Sequence, residues 1–299
     1  MSYDPVGRRA FLARIGLLGA AATVGGGALL GSPQPAAAAS SGTQAPTDPV
    51  VGLLRDVLAE LSRDTINGLV TFVVPGPDGY SRAQGTPRQE PGALEAGTTD
   101  YVLSLLDTLL PFPEAIGRPL ASALATATSE LDVPLLGPLT TLLPPQLRAL
   151  DAALGAVVGA QDPLPLAFPV AGLLNLLATQ VNPASVNGPF LSPFSRLSFA
   201  EKARVFELLE RSDSDLAALL DTNFPEPTRA GVSALMKFLA TGLLGFSAFG
   251  AFSEWNVFDP RTRTISRPPV GWQLTGYEGR HEGENDFKGY WQGRTEVHD

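Results

Sequence analysis

Residue types that carry acid–base, nucleophilic and metal chemistry are scarce in this sequence. Cysteine is absent, which excludes disulfides, thiolate catalysis, iron–sulfur clusters, thioether-linked haem and Cys-ligated zinc. The histidines are His281 and His298 alone, so a Ser-His-Asp triad or a two-His metal site would have to draw on the C-terminal tail. His281 stands among Glu278, Glu282, Glu284 and Asp286. Such a set can bind a hard or borderline cation, or supply the two carboxylates of glycoside hydrolysis. With Arg280 and Lys288 beside it, the same stretch reads more simply as a solvated acidic segment, and a tail lacks the rigid shell that catalytic carboxylates need. Gly245-Phe246-Ser247-Ala248-Phe249-Gly250 imitates a nucleophile elbow, but Gly-x-Ser-x-Gly requires glycine where Phe249 stands. No Walker or Rossmann glycine pattern occurs either. The expectation for this chain is no catalytic residues, no metal site and no cofactor.

Large rings are the other chemically distinctive feature. Trp255, Phe258, Trp272, Tyr277, Phe287, Tyr290 and Trp291 crowd residues 255–291, interleaved with Gly, Arg and Pro. That composition suits a segment that docks, either on its own helical body or on a partner. Trp255, Trp272, Tyr277 and Trp291 are the candidate docking residues. Trp272 and Tyr277 are the best anchors, because Gly271 and Gly276 beside them would let backbone approach closely.

Positioning these residues falls to helices. Asp48-Pro49 opens one with a buried stripe at Leu53, Leu54, Val57, Leu58 and Leu61. Leu69 to Val74 is ambiguous between a helix end and a short strand, and Pro75-Gly76-Pro77-Asp78-Gly79 stops it. Residues 75–97 read as a loop. Residues 98–110, 114–130, 145–158 and 166–181 each read as helical, kept short by Pro134, Pro138, Pro144, Pro145, Pro163, Pro165 and Pro169. Ser198-Phe199-Ala200-Glu201 is a capping box, heading an amphipathic helix that buries Val205, Leu208 and Leu209. Asp213 or Asp215 caps another short helix reaching Leu220. Residues 229–252 form a long apolar helix interrupted only by Lys237. Its length admits a membrane span, but Lys237, Thr241, Ser247 and the glycines favour a buried core helix. Strand-like alternation is scarce. The fold class expected is all-α, an irregular helical domain over residues 50–254, followed by an extended aromatic Gly/Pro-rich segment over 255–299.

Ahead of that body, residues 40–49 form a Ser/Thr/Pro/Gly linker and residues 1–39 read as an export signal. Arg8 and Arg9 are followed by Phe11 and Leu12, then by a weakly apolar Ala/Gly-rich stretch from Ile15 to Leu30. Small residues through Ala36–Ala39 offer an Ala-x-Ala cleavage site, with Ala37 and Ala39 before the cut and Ser40 after it. The paired arginines give the address its twin-arginine character. Ala13 stands where such signals often carry lysine. An ordinary secretory signal is the alternative. An uncleaved anchor is a third reading, against which about 16 Gly-interrupted residues fall short of the ~20 that a span needs. The expected location is therefore outside the cytoplasm, in the periplasm or at the outer face of the cytoplasmic membrane, with the twin-arginine translocase as a transient partner. The chain has a formal net charge of −9, and losing Arg8, Arg9 and Arg14 with Asp4 makes it more acidic still. No electrostatic case for nucleic acid or anionic lipid exists.

Three stretches, in this order, carry a family likeness. Pro91-Gly92-Ala93-Leu94-Glu95-Ala96-Gly97 precedes Asp100-Tyr101; Leu197-Ser198-Phe199-Ala200-Glu201 heads the next amphipathic helix; Gly271-Trp272 is followed by Gly276-Tyr277-Glu278-Gly279. The arrangement resembles the gluconate 2-dehydrogenase subunit 3 family, the signal-bearing small subunits of flavin-dependent sugar and polyol dehydrogenases. Two departures are a longer, Pro-rich region at 131–190 and Glu278 where the family commonly has proline. The resemblance implies a helical, cofactor-free companion to a large subunit that holds FAD in a glucose–methanol–choline oxidoreductase fold, the two being exported together on one signal. Two other readings stand beside it: an exported hydrolase using the tail carboxylates, and a structural cell-envelope protein.

Overall fold

The computed structural model describes residues 49–109, 165–210 and 232–277. Residues 1–39, read as an export signal, most of the stretch read as a linker, the helices read at 114–130, 145–158 and 213–220, and the tail carboxylates, both histidines and Trp291 lie outside the described residues. What is described is predominantly helical.

Helix α1 (Pro49–Val73) runs through the middle of the core. Its predicted stripe is buried at Val57, Leu58 and Leu61, and from there the burial spreads around the helix to Ile66, Leu69 and Val70. A helix enclosed on most sides must also satisfy its polar side chains internally. Ser62 and Thr65 do so by donating to the carbonyls of Leu58 and Leu61 one turn back. The ambiguous run at 69–74 resolves as the end of this helix. Pro75-Gly76-Pro77 ends it, because proline offers no amide to continue the ladder.

Residues 75–97 are not simply a loop. Helix α2 (Gly79–Gln84) lies within them, capped by Asp78, whose carboxylate accepts from Ser81 N at 2.8 Å, and closed by Gly85 at φ 89°. The Asp-x-x-Ser spacing carried that information, masked by the surrounding Gly and Pro. Gly92 then lies directly on the backbone of Gly76, which folds the connection back along the end of α1.

Helix α3 (Thr98–Ser104) begins as expected but does not continue as α to residue 110. It widens into a π-type turn (Leu105–Leu109). That turn carries Asp107 to the start of α4 (Ala167–Val181), where its carboxylate accepts from Ala167 N at 2.9 Å. Leu166, the residue preceding α4, has no capping side chain, so the cap comes from sixty positions away. Burial raises the Asp107 carboxyl above its ordinary value, and the amides of Ala167 and Leu166 draw it back. Asp107→Ala should therefore lower stability by about 1 kcal/mol. Asp107→Asn keeps the acceptor and removes the charge that burial disfavours, so it should match the parent at neutral pH in urea titrations. Equal losses for both variants would contradict the capping role.

Nearly all of α4 is buried, and Pro169 sits in its first turn where no amide is needed. After two short 3₁₀ segments (Pro183–Val186 and Phe194–Arg196) comes α5 (Phe199–Glu210). The capping box forms as read: Glu201 N donates to Ser198 Oγ at 3.4 Å, and Ser198 N donates to Glu201 Oε2 at 2.8 Å. Val205 and Leu209 are buried, and Leu208 is partly so.

Helix α6 (Val232–Phe252) packs on α1, α3 and α5 through Met236, Leu239, Ala240, Leu243 and Ala251. The expectation of a buried core helix is half right, because its opposite stripe is bare. Among the described residues no helix is long and apolar enough to cross a membrane. Residues 255–277 contain a two-stranded hairpin, β1 (Phe258–Asp259) and β2 (Thr264–Ile265), with Phe258 opposite Ile265. A short helix α7 (Val270–Thr275) follows, returned against the end of α6.

Candidate functional site

Exposed rings gather on α6 and on the segment after it. Phe238, Thr241, Gly245, Phe249 and Phe252 follow spacings of three and four, which places them on one side of the helix. All five are exposed. Phe249 is 61% exposed and Phe238 56%, values that are unusual for phenylalanine on a folded helix. Between these rings Gly242 and Gly245 leave a concavity of about 440 Å³, walled by Tyr101, Thr241, Phe246 and Phe249.

Tyr101 joins this stripe to the C-terminal segment. Its ring centroid lies 5.9 Å from that of Phe249 and 5.4 Å, edge-on, from that of Trp255. Burial raises its hydroxyl pKa, so the phenol stays neutral at ordinary pH. Close approach there depends on Gly250, since a side chain at that position would overlap the Tyr101 ring. The first motif stretch thus meets the segment that follows α6. Gly97, at φ 71°, has no room for a side chain beside Asn256, and Arg267 reaches the carbonyl of Glu95.

The predicted docking residues divide. Trp255 and Tyr277 are 43% and 44% exposed, joined by Phe252, Phe258 and Ile265. Trp272 is half-buried: its indole N–H donates to Glu254 at 3.1 Å, and its ring stands edge-on to Tyr277 at 5.0 Å. Trp272 is therefore largely engaged with its own chain and sits in a regular helix. The glycines beside these rings also differ. Gly271 lies on the Phe252 backbone, as expected of a close approach. A side chain at Gly276 would meet nothing within 4 Å, and the residue instead supplies the left-handed φ of 68° that ends α7.

Nothing on this face is arranged for covalent chemistry. Ser247 is buried on the other side of α6 and donates to the Leu243 carbonyl within the helix, as the rejected elbow requires. Among the described residues no group of three or more His, Asp or Glu could hold a metal ion. What the face can do is bury apolar area, with aromatic rims around a shallow apolar notch.

A second cluster, inside the fold, joins residues far apart in sequence. Asp64 accepts from Tyr80 OH at 2.6 Å and Ser192 N at 2.8 Å. Asn175 accepts from Ser192 Oγ and Phe194 N, and donates to Thr65 Oγ1. Close by, Lys202 is fully buried. Its signal was present: positions 202, 205, 206 and 209 share one helical stripe with the core residues of α5, so the lysine had to point inward. The chain matches no family model, no curated protein and no solved structure in the comparisons made.

Proposed function

We propose that this protein is an exported, non-catalytic accessory subunit that binds and escorts a flavin-dependent dehydrogenase large subunit through the twin-arginine route. The observation that carries this reading is the exposed aromatic stripe of Phe238, Phe249 and Phe252 on α6 with its apolar notch, continued through Tyr101 to exposed Trp255. Rings of this size left in water are what a protein–protein interface buries. The arginine-pair signal and the ordered motif stretches select the partner class: a folded FAD-dependent oxidoreductase, exported with this chain to the periplasm or the outer membrane face. FAD belongs to the partner, and this chain contributes the address and the docking surface.

Co-expression with a co-encoded FAD-dependent large subunit, followed by affinity pull-down of this chain, tests the proposal. A flavin-bearing partner should co-purify, and Arg8→Lys with Arg9→Lys should hold both chains in the cytoplasm. Trp255→Ala is the better anchor variant than Trp272→Ala, which would also remove the bond to Glu254. As an interface anchor, truncation of Trp255 is expected to weaken association by about 2 kcal/mol, roughly thirtyfold, with unchanged far-UV circular dichroism. Recovery of a stable chain that associates with no oxidoreductase would overturn the reading.

A further inference from the structure

Lys202 is one of three lysines in the chain, with Lys237 and Lys288, and its side chain is sealed from solvent. Its Nζ donates to the Gly68 carbonyl of α1 at 2.9 Å and to Gln84 Oε1 of α2 at 2.7 Å, and lies 5.4 Å from the centroid of the Phe194 ring. Gln84 is held in turn, donating to the Thr71 carbonyl and to Thr86 Oγ1. One amine therefore pins α5, α1 and α2 together.

Every hydrogen-bond partner of that amine is neutral. The charged groups around it are occupied elsewhere. Asp64, on α1, accepts from Tyr80 and Ser192, and Asp78, ahead of α2, accepts from both Ser81 N and Ser81 Oγ. Arg196 serves the carbonyls of Phe190 and Ser185. Tyr80 has its pKa raised by burial and by Asp64. On its own helix, Glu201 is committed to the capping box, the Ser198 hydroxyl and Asn182. An ammonium enclosed without a contacting counter-ion is disfavoured relative to the neutral amine. Accordingly, burial lowers the Lys202 pKa to about 7, with Asp78 and Asp64 opposing the shift from a distance.

Helix α2 is the cover over this amine. Gly79, Arg82, Ala83 and Gly85 face solvent while Ser81 and Gln84 face inward, so lifting α2 is the local route by which Lys202 could meet water. We propose that Lys202 is a proton-operated latch holding α2 on the helical core, closed most firmly when the amine is neutral. The sign follows from linkage. Once α2 lifts, the amine regains its ordinary affinity for protons, so opening takes up a proton wherever the closed form is neutral. Between about pH 7 and the ordinary lysine value near 10.5, each unit rise in pH makes opening about tenfold rarer. Below about pH 7 both states are charged and the dependence levels off.

Hydrogen exchange on the full chain reads this directly. Protection of amides in residues 76–88, corrected for intrinsic exchange, should rise about tenfold per pH unit above about 7 and stay level below it. Lys202→Met should flatten that rise. The same dependence spread equally over α1 and α5, or an unchanged profile in Lys202→Met, would overturn a local latch. If that variant does not fold, the parent still decides the matter. A ¹³Cε titration of its three lysines should show one midpoint near neutral pH, absent from Lys202→Arg. All three midpoints near the ordinary lysine value would overturn the proposal.

Discussion

Asn175→Leu is expected to destabilise the fold by roughly 3 kcal/mol, although leucine matches asparagine closely in volume. Asn175 is fully buried on α4, and its amide is a three-way junction. Its oxygen accepts from Ser192 Oγ at 2.7 Å and Phe194 N at 3.1 Å, and its nitrogen donates to Thr65 Oγ1 at 3.0 Å. Leucine leaves the Ser192 hydroxyl and the Phe194 amide as enclosed donors without that acceptor. Each orphaned buried group costs about 1–3 kcal/mol. Thr65 is spared, because it still donates to the Leu61 carbonyl. The loss should appear in urea as a lower midpoint at unchanged slope, and as a fall in Tm of about 6–12 °C. A change under about 0.5 kcal/mol would show that the segment before α5 holds its place without this junction. Because Phe194 packs on Phe206 of α5 and beneath Lys202, the disturbance should also reduce protection of α2.

Gly68→Val should be comparably damaging, for a steric reason. A Cβ at Gly68 would fall 2.5 Å from Ser195 Oγ and 2.9 Å from Ser195 Cα. The hydroxyl could rotate away, but the backbone of the 3₁₀ segment cannot. Ser195 is itself anchored, donating to the Asp64 carbonyl at 2.7 Å. Overpacking of this kind costs about 1–3 kcal/mol, and a branched residue falls at the upper end or beyond. Alanine makes the sharper test, since on helix propensity alone it is favoured over glycine by about 1 kcal/mol. Gly68→Ala should nevertheless lose stability, and combining it with Ser195→Gly should recover part of the loss in a double-mutant cycle. A net gain for Gly68→Ala alone would mean that α1 and the 3₁₀ segment are not in close contact.

Ser198 and Glu201 show what is legible without a fold. A four-residue spacing specified both hydrogen bonds of the capping box, because donor, acceptor and helix start all lie within one turn. The stripe on α1 and the inward residues of α5 were equally readable, since periodicity fixes which residues share a face. Asp107 shows the opposite case. Read along the chain, it is an interior helix residue; in the fold it caps a helix whose first amide is sixty positions away. Trp272 and Tyr277, alike in sequence context, part company because Trp272 lies within α7 with its indole donating to Glu254, whereas Tyr277 follows the Gly276 that ends the helix.

The amino-acid sequence by itself determined the helical class, the capping box at Ser198, the proline breakers, and the absence of thiol chemistry. Those properties rest on composition and on interactions that close within about four residues. Tertiary structure alone decided that α6 buries one stripe and leaves its phenylalanines bare, and that Gln84 and Lys202, 118 positions apart, share a hydrogen bond. Burial depends on which elements pack against a residue. Those neighbours are brought together by folding, so no local pattern names them.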